Sequence, residues 1–376
     1  MNIVVVGGGP AGLTFALLMK KTDPAHRVLV LERNAPTDTF GWGVVFSDQT
    51  MSYLRDSDEP TWREITRRFA TWDNVDVVHR DRKISIHGNR FSGIARIELL
   101  GILQRRCEEL GVELRHRTNV ADLAALPAHD LLVGADGVNS LVRQARAAAF
   151  EPTLSPARNR YIWFGTPRLF HGLTLTFRSD PAGVFTAHSY KFDDRRSTFI
   201  VECAEETWAR AGFERLDDAE TRAYLERVFE RDLEGQPLLS NASKWITFVT
   251  VRNRRWADRN VVLLGDALHT AHFSIGSGTK LALEDAIALE RAFRGQGTVE
   301  RALSEFERVR RPVVEELQAA ACESLAWFED AGSLVDLDPM ELAYRLMTRS
   351  GRIDHENLRR RDPAFVAAYE QWRAAR

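Results

Sequence analysis

Cysteine is scarce in this sequence: of 376 residues only Cys107, Cys203 and Cys322 are cysteines, with no CxxC pair and no histidine at ligand spacing beside them. Neither a disulfide framework nor a zinc site is indicated, no metal is expected, and a reducing cytoplasm fits best. Long apolar runs are missing as well. The opening Ile3-Val4-Val5-Val6 is short and gives way at once to glycines, and nothing later approaches a bilayer-spanning length, so no membrane association is expected. An excess of one charge is absent too: Lys plus Arg is 51 against Asp plus Glu at 53, which argues against a nucleic-acid partner. The basic stretches Arg308–Arg311 and Arg359–Arg361 read as solvated helix faces.

What is present is alternation of strand and helix patterns, which points to an α/β fold. An apolar strand to Val6, a glycine turn, an amphipathic helix from about Ala11 to Lys21 and a strand Arg27–Leu31 form a βαβ unit. A Gly-rich loop follows at Gly41–Gly43, then a helical stretch around Trp62–Phe69, a hairpin-like region Val75–Ile86 and a helix Ile97–Leu110. Short apolar runs at Val112–Leu114, Leu131–Val133 and Val261–Leu264 suit buried parallel strands that rejoin the first sheet. Between them, Tyr161–Cys203 is β-rich with Asp-Pro and Asp-Asp turns. The expected organisation is a discontinuous Rossmann-like domain (1–72, 92–158 and 246–300), an interleaved sheet domain (73–91 and 159–245) and a C-terminal helical segment (301–376).

Gly7, Gly9 and Gly12 form GxGxxG between strand and helix, and Glu32 lies twenty residues past Gly12 at the end of the next strand. Glycines allow a tight turn and close approach of backbone to a pyrophosphate, the helix N-terminus favours its charge, and the acid can accept from ribose hydroxyls. FAD and NAD satisfy this pattern equally. Downstream, Gly265-Asp266 ends a strand and could hold a ribityl hydroxyl, while Gly276-Ser277-Gly278-Thr279 opens a helix whose free N–H groups would meet an anionic flavin ring. A nicotinamide cofactor needs no such second site. A third segment, Gly134-Ala135-Asp136-Gly137, follows another strand; by itself it is equally a helix start capped by Asn139 or Ser140.

Taken together in this order, the three segments resemble the group A FAD-dependent aromatic monooxygenases related to para-hydroxybenzoate hydroxylase, over roughly residues 1–300. More narrowly, Gly41–Ser47, His188–Lys191 and Ser197–Cys203 resemble the salicylyl-CoA type and the violacein-pathway type within that family. The resemblance implies FAD held by Gly7, Gly9, Pro10, Ala11, Gly12, Glu32 and Arg33, by Trp42, Gly43, Val44 and Arg96, by Asp136 and Gly137, and by Gly265, Asp266, Gly276, Gly278 and Thr279. It also implies NADH or NADPH as a transient reductant and O2 adding at the flavin C4a position, the hydroperoxide then hydroxylating an aromatic small molecule. A homo-oligomer is compatible with it. One departure is His272-Phe273, where the family has paired prolines.

Strand alternation places His188 and Tyr190 on one face, and Ile200 and Glu202 on one face of the neighbouring strand. His188, Tyr190 and Glu202 are therefore the candidates for a base or relay to a phenol or aniline, with a structural role standing beside the catalytic one for each. His269 and His272 rank lower, as packing or orienting residues. Trp42, flanked by glycines, is the better candidate than Trp163 for an aromatic slot. Free and CoA-conjugated substrates both remain open. A flavin-dependent halogenase would carry WxWxIP, which Tyr161–Pro167 does not match; an NAD-linked dehydrogenase leaves Gly265-Asp266 without purpose; a flavin-binding scaffold would never turn over.

Overall fold

Runs of valine, isoleucine and leucine without polar alternation form strands covered on both faces. In the computed structural model, which describes residues 1–376, such runs build a six-stranded sheet in the order Ala257–Asp258, Val261–Leu263, Leu131–Gly134, Asn2–Val6, Arg27–Leu31, Glu113–Arg115. All joints are parallel except that of the short edge strand Ala257–Asp258. Helix Pro10–Thr22 packs against both Arg96–Leu110 and Gly278–Gly295, and the three share one core with the sheet.

The second sheet has seven strands, Ile246–Asn253, Pro152–Thr166, Ser197–Ala204, Gly183–Lys191, Leu173–Asp180, Val75–His79 and Arg82–Ile86, with one parallel joint between Leu173–Asp180 and Val75–His79. The hairpin read at Val75–Ile86 is there, turned by Arg80 and Asp81 at positive φ. Period-two alternation sorts its side chains. Phe164, Phe185, Phe199 and Val201 face a core with Leu225 and Phe229, while Trp163, His188, Tyr190 and Ile200 face the opposite way.

The expected boundary near 158/159 falls inside the single strand Pro152–Thr166, whose first half pairs with Ile246–Asn253 and whose second half pairs with Ser197–Ala204. Residues 152–158 and 246–253 thus lie in the larger sheet rather than the first. Pro152, Pro156 and Arg158 hide the strand pattern in the sequence, and cross-strand pairing supplies what propensity lacks. The loop read at Gly41–Gly43 runs directly into a strand, Gly43–Phe46, of a three-stranded sheet with Phe91–Ala95 and Ala70–Trp72.

The C-terminal segment is no separate appendage. Helix Val299–Glu329 contributes Leu303, Phe306 and Val314 to the first core and Phe328 to a second one. Helices Pro339–Thr348, His355–Arg361 and Pro363–Ala374 close that second core against Val75, Val77, Ile86, Leu175 and Phe177. One basic stretch read as solvated holds a buried residue: Arg310 pairs with Asp285 at 3.0 Å and with Glu284 at 3.3 Å.

Candidate active site

The glycine turn is sorted by what a side chain would meet. A Cβ on Gly7, at φ +110°, would stand 2.2 Å from the Ala135 carbonyl oxygen, and one on Gly12 would stand 2.1 Å from that of Gly7. Both glycines are required by packing of the protein against itself. Gly9 differs, because a Cβ there would meet nothing within 4 Å. Pro10 opens the following helix, which has no side-chain cap, so its first N–H groups are turned to open space in front of Gly9. Glu32 reaches back and accepts from the Gly8 N–H at 2.7 Å and the Asn34 N–H at 2.8 Å, while Arg33 is exposed. Asp136 accepts from Leu141 and Val142 N–H with one oxygen, and its other oxygen is buried without a partner. Ser140 caps the helix after it, as read.

From Gly9 a cavity of about 620 Å³ runs between the two large sheets. Gly9, Pro10, Ala11, Gly43, Val44, Arg96, Gly137, Gly265, Asp266, Gly276, Gly278 and Thr279 share its wall with His188 and Tyr190. Gly7, Gly12, Glu32, Arg33, Trp42, Asp136 and Glu202 do not reach it. Gly265 takes φ +58°, which turns Asp266 toward the cavity. Enclosure pushes the Asp266 carboxyl above its ordinary range, opposed chiefly by the Arg96 guanidinium. Helix Gly278–Gly295 starts without a side-chain cap, and space in front of Gly278 is open. Behind this helix, His269 meets Asp285 at 2.7 Å in a buried ion-pair network that includes Arg310.

At the far end the second sheet supplies the wall. His188 Nε2 lies 3.1 Å from Glu202, which also accepts from Asn159 at 2.8 Å. Burial alone would raise the Glu202 carboxyl, but the His188 hydrogen bond, nearby His272 and the Asn159 amide hold it below its usual range. His272 Nε2 is 4.0 Å from Glu202, and burial lowers its pKa to about 4. His272 is thus tied to the candidate pair, closer to it than its low ranking implied. Tyr190 donates to the Gly43 carbonyl at 2.9 Å and stacks on Trp72, so its hydroxyl proton is engaged by the backbone. The tryptophans exchange places relative to expectation: Trp163 lines the cavity, whereas Trp42 lies against Gly165 and Phe192. Tyr161 and Phe273 add an aromatic pair at 4.7 Å.

Sequence reading missed the C-terminal part of the wall, Leu346, Met347, Arg349, Arg352, Ile353 and Arg361. Arg361 belongs to a stretch read as solvated, and its hydrogen bond to Asn89, in the loop after the hairpin, places it at the cavity instead. Six cationic side chains, Arg90, Arg96, Lys280, Arg349, Arg352 and Arg361, line the cavity against the single carboxylate of Asp266, in a chain whose net charge is −2. Anionic ligands are favoured by such a wall.

The open backbone at Gly9 and Gly278 and the two uncapped helix starts fit an elongated, phosphate-bearing cofactor. The sequence matches the FAD-binding-domain family over residues 128–321 and the lycopene cyclase family over residues 2–195. A salicyloyl-CoA 5-hydroxylase of Streptomyces sp. is 42% identical across 99% of this chain and 74% of that protein. The chain belongs to the FAD-dependent aromatic monooxygenases. A 3-hydroxy-4-methyl-anthranilyl-[aryl-carrier protein] 5-monooxygenase of Streptosporangium sibiricum is 38% identical, covering 95% of this chain and 97% of its own. Protodeoxyviolaceinate monooxygenase of Chromobacterium violaceum is 35% identical over 91% and 92%. Among solved structures, 2-methyl-3-hydroxypyridine-5-carboxylic acid oxygenase superposes with TM-score 0.72 at 18% identity, covering 96% of this chain and 98% of that one, which shows the shared fold. This flavoprotein monooxygenase therefore binds FAD and hydroxylates an aromatic compound with NAD(P)H and O2. No helix is long and apolar enough to cross a membrane.

Proposed function

We propose that this monooxygenase acts on an aromatic acyl thioester, with the acyl ring inside the cavity and the phosphate-bearing arm of CoA or a carrier protein at its arginine rim. The observation that carries this reading is the rim itself. Arg90, Arg352 and Arg361 are exposed around the opening where residues 89–91 meet residues 349–361, and apart from Arg349 the interior wall between them and the sheet is largely apolar and aromatic. A free aromatic acid would need one cation beside the ring; three at the edge suit a chain of phosphates held away from it. The relatives' names agree, two of the three being hydroxylases of a CoA or carrier-protein conjugate.

In this reading the Gly7–Gly12 turn, Glu32 and the Asp136-Gly137 segment hold the ADP half of FAD, and Arg96, Asp266 and the Gly276–Thr279 helix start hold the flavin half. When bound, FAD supplies the hydride acceptance and O2 activation that no side chain offers. The chain's own residues orient and protect. Tyr161, Trp163, Ile200 and Phe273 fix the ring and exclude water, and His188, held by Glu202, takes a proton from the ring substituent.

The test compares 2-hydroxybenzoyl-CoA with free 2-hydroxybenzoate. With FAD-loaded protein, the thioester is expected to stimulate NAD(P)H oxidation and to gain the mass of one oxygen atom. A free acid that is turned over as efficiently as the thioester removes the reading.

A further inference from the structure

A guanidinium enclosed by protein is normally matched by a carboxylate, because its charge cannot be titrated away and losing water is costly. Arg310 follows that rule with Asp285 and Glu284. Arg349 does not. It stands at the end of helix Pro339–Thr348, makes no ion pair, and spends three of its five N–H groups on neutral acceptors. Nε donates to Ser324 Oγ at 2.8 Å, Nη1 to the Leu346 carbonyl at 2.5 Å and Nη2 to the Ser274 carbonyl at 2.8 Å. Each terminal nitrogen keeps one N–H. Enclosure lowers its pKa to about 10, which leaves it cationic at neutral pH.

The position of this cation is built from several directions. Ser324 Oγ is 2.8 Å from Ser274 Oγ, and Ser274 Oγ is 2.8 Å from His272 Nδ1, so the residues that seat Arg349 are themselves seated. The Phe328 ring packs near both Arg349 and His188, with its centroid 5.4 Å from Arg349 Cζ and 4.6 Å from the His188 ring. Arg349 and His188 both line the cavity. An unpaired, fixed cation and a carboxylate-backed imidazole, both packed on the buried Phe328 ring, therefore face the same cavity.

We propose that Arg349 is the receptor for the ionised ring hydroxyl of the substrate, and so selects aromatic acyl groups that carry such a hydroxyl. The inference rests on the cavity being the substrate site, as argued above. In a thioester the carboxylate is replaced by a neutral carbonyl, so a ring hydroxyl is the oxygen of the acyl group that can become charged. Its O–H bond breaks, the proton passes to the His188 imidazole whose Nε2 is held by Glu202, and the electron pair stays on the oxygen against the two free guanidinium N–H groups. The phenolate so held is the electron-rich form of the ring, which is the form that accepts oxygen.

The test uses the FAD-loaded protein and three probes, 2-hydroxybenzoyl-CoA, 2-methoxybenzoyl-CoA and benzoyl-CoA, with binding read from flavin fluorescence. The wild-type protein is expected to bind the hydroxylated probe about tenfold or more tightly than the other two, the scale of one charge-assisted hydrogen bond. Arg349→Met removes that preference while flavin content and circular dichroism stay unchanged, and Arg349→Lys restores part of it. Should Arg349→Met not fold, the lysine variant still decides, by a preference reduced but present. A preference that survives in either variant at the wild-type value, or an equal loss for all three probes, overturns the proposal. The double variant Arg352→Ala, Arg361→Ala separates it from the thioester reading: it is expected to weaken all three CoA probes relative to 2-hydroxybenzoate while leaving the hydroxyl preference intact. If that variant leaves CoA probes unaffected and the Arg349 result holds, the thioester reading falls and the receptor for the ring oxygen stands.

Discussion

The two ends of the cavity are made in opposite ways. At the first sheet, the wall is backbone: the Gly9 turn, Gly137, the bend at Gly265 and the helix start at Gly278, each a strand end or helix start contiguous in sequence. At the second sheet, the wall is side chain, assembled from Trp163, His188, Ile200 and Arg349, which pairing and helix docking bring together from distant stretches. A backbone site offers one geometry and tolerates almost no change. A side-chain site can be altered residue by residue, which suits a family that keeps one cofactor and varies its substrate.

The sharpest way to break this contrast is at the glycines. Gly7→Ala places a methyl 2.2 Å from a backbone carbonyl at φ +110°, and neither partner can move without shifting a central strand. Loss of folded protein is expected, checked by thermal unfolding of purified protein. Gly9→Ala, at φ −79° in open space, should leave unfolding of the FAD-free protein within about 0.5 kcal/mol of wild type and still weaken FAD retention about tenfold or more. Equal flavin retention in Gly9→Ala would show that the cofactor does not approach that backbone.

The next largest effect lies behind helix Gly278–Gly295. Asp285→Ala strips Arg310 and His269 of their shared carboxylate in a fully buried setting, and about 3–5 kcal/mol of stability should be lost in denaturant unfolding. A loss below about 1 kcal/mol would mean that the network is solvated and that this end is no more rigid than the other.

Legibility in the sequence follows the same division. The dinucleotide turn, the Gly265-Asp266 bend and the glycine-flanked helix start were readable because each is a local pattern whose glycines answer to local backbone geometry. His188 and Tyr190 were placed on one face by alternation alone, and both line the cavity. Trp42 and Trp163 were ranked the wrong way round because glycine flanks suggested a free loop. Gly43 is in fact a strand residue pressed against Phe192, and the Trp42 ring goes against Gly165 instead. Arg349 and Arg361 were beyond reach of any local pattern. Their place depends on helices near the C-terminus packing across a hairpin formed near residue 80, and nothing in a run of arginines distinguishes a rim from a solvated face.

The second-sheet end should also carry its own pH signature. His272 is held neutral by burial, with a folded-state pKa of about 4 against an ordinary 6.5. A depressed pKa contributes stability that is complete above 6.5 and is lost as pH falls through about 4, because the unfolded chain binds the proton first. Wild-type stability should thus fall by up to about 3 kcal/mol between pH 6.5 and 4 from this group. Glu202, also held below its ordinary range, acts in the same direction at lower pH. His272→Gln should flatten the upper part of that decline in pH-dependent unfolding, and an unchanged slope would place the titration elsewhere.

The smallest effects test whether the rim differs from the surface it merges with. Arg359 and Arg361 are two residues apart on one helix. Arg359 pairs with Glu356 and Glu370 in solvent, where such bridges contribute about 0–1 kcal/mol, whereas Arg361 bonds Asn89 and lines the cavity mouth. Arg359→Ala should therefore leave stability and KM unaltered. Arg361→Ala should raise KM for a CoA thioester severalfold with kcat nearly constant, since a rim cation binds the ground and transition states alike. Added salt should raise the wild-type KM and so narrow that difference, because exposed phosphate contacts are screened. Equal kinetics for the two variants would erase the distinction between rim and surface, and would leave the ring-binding side chains alone to define the substrate.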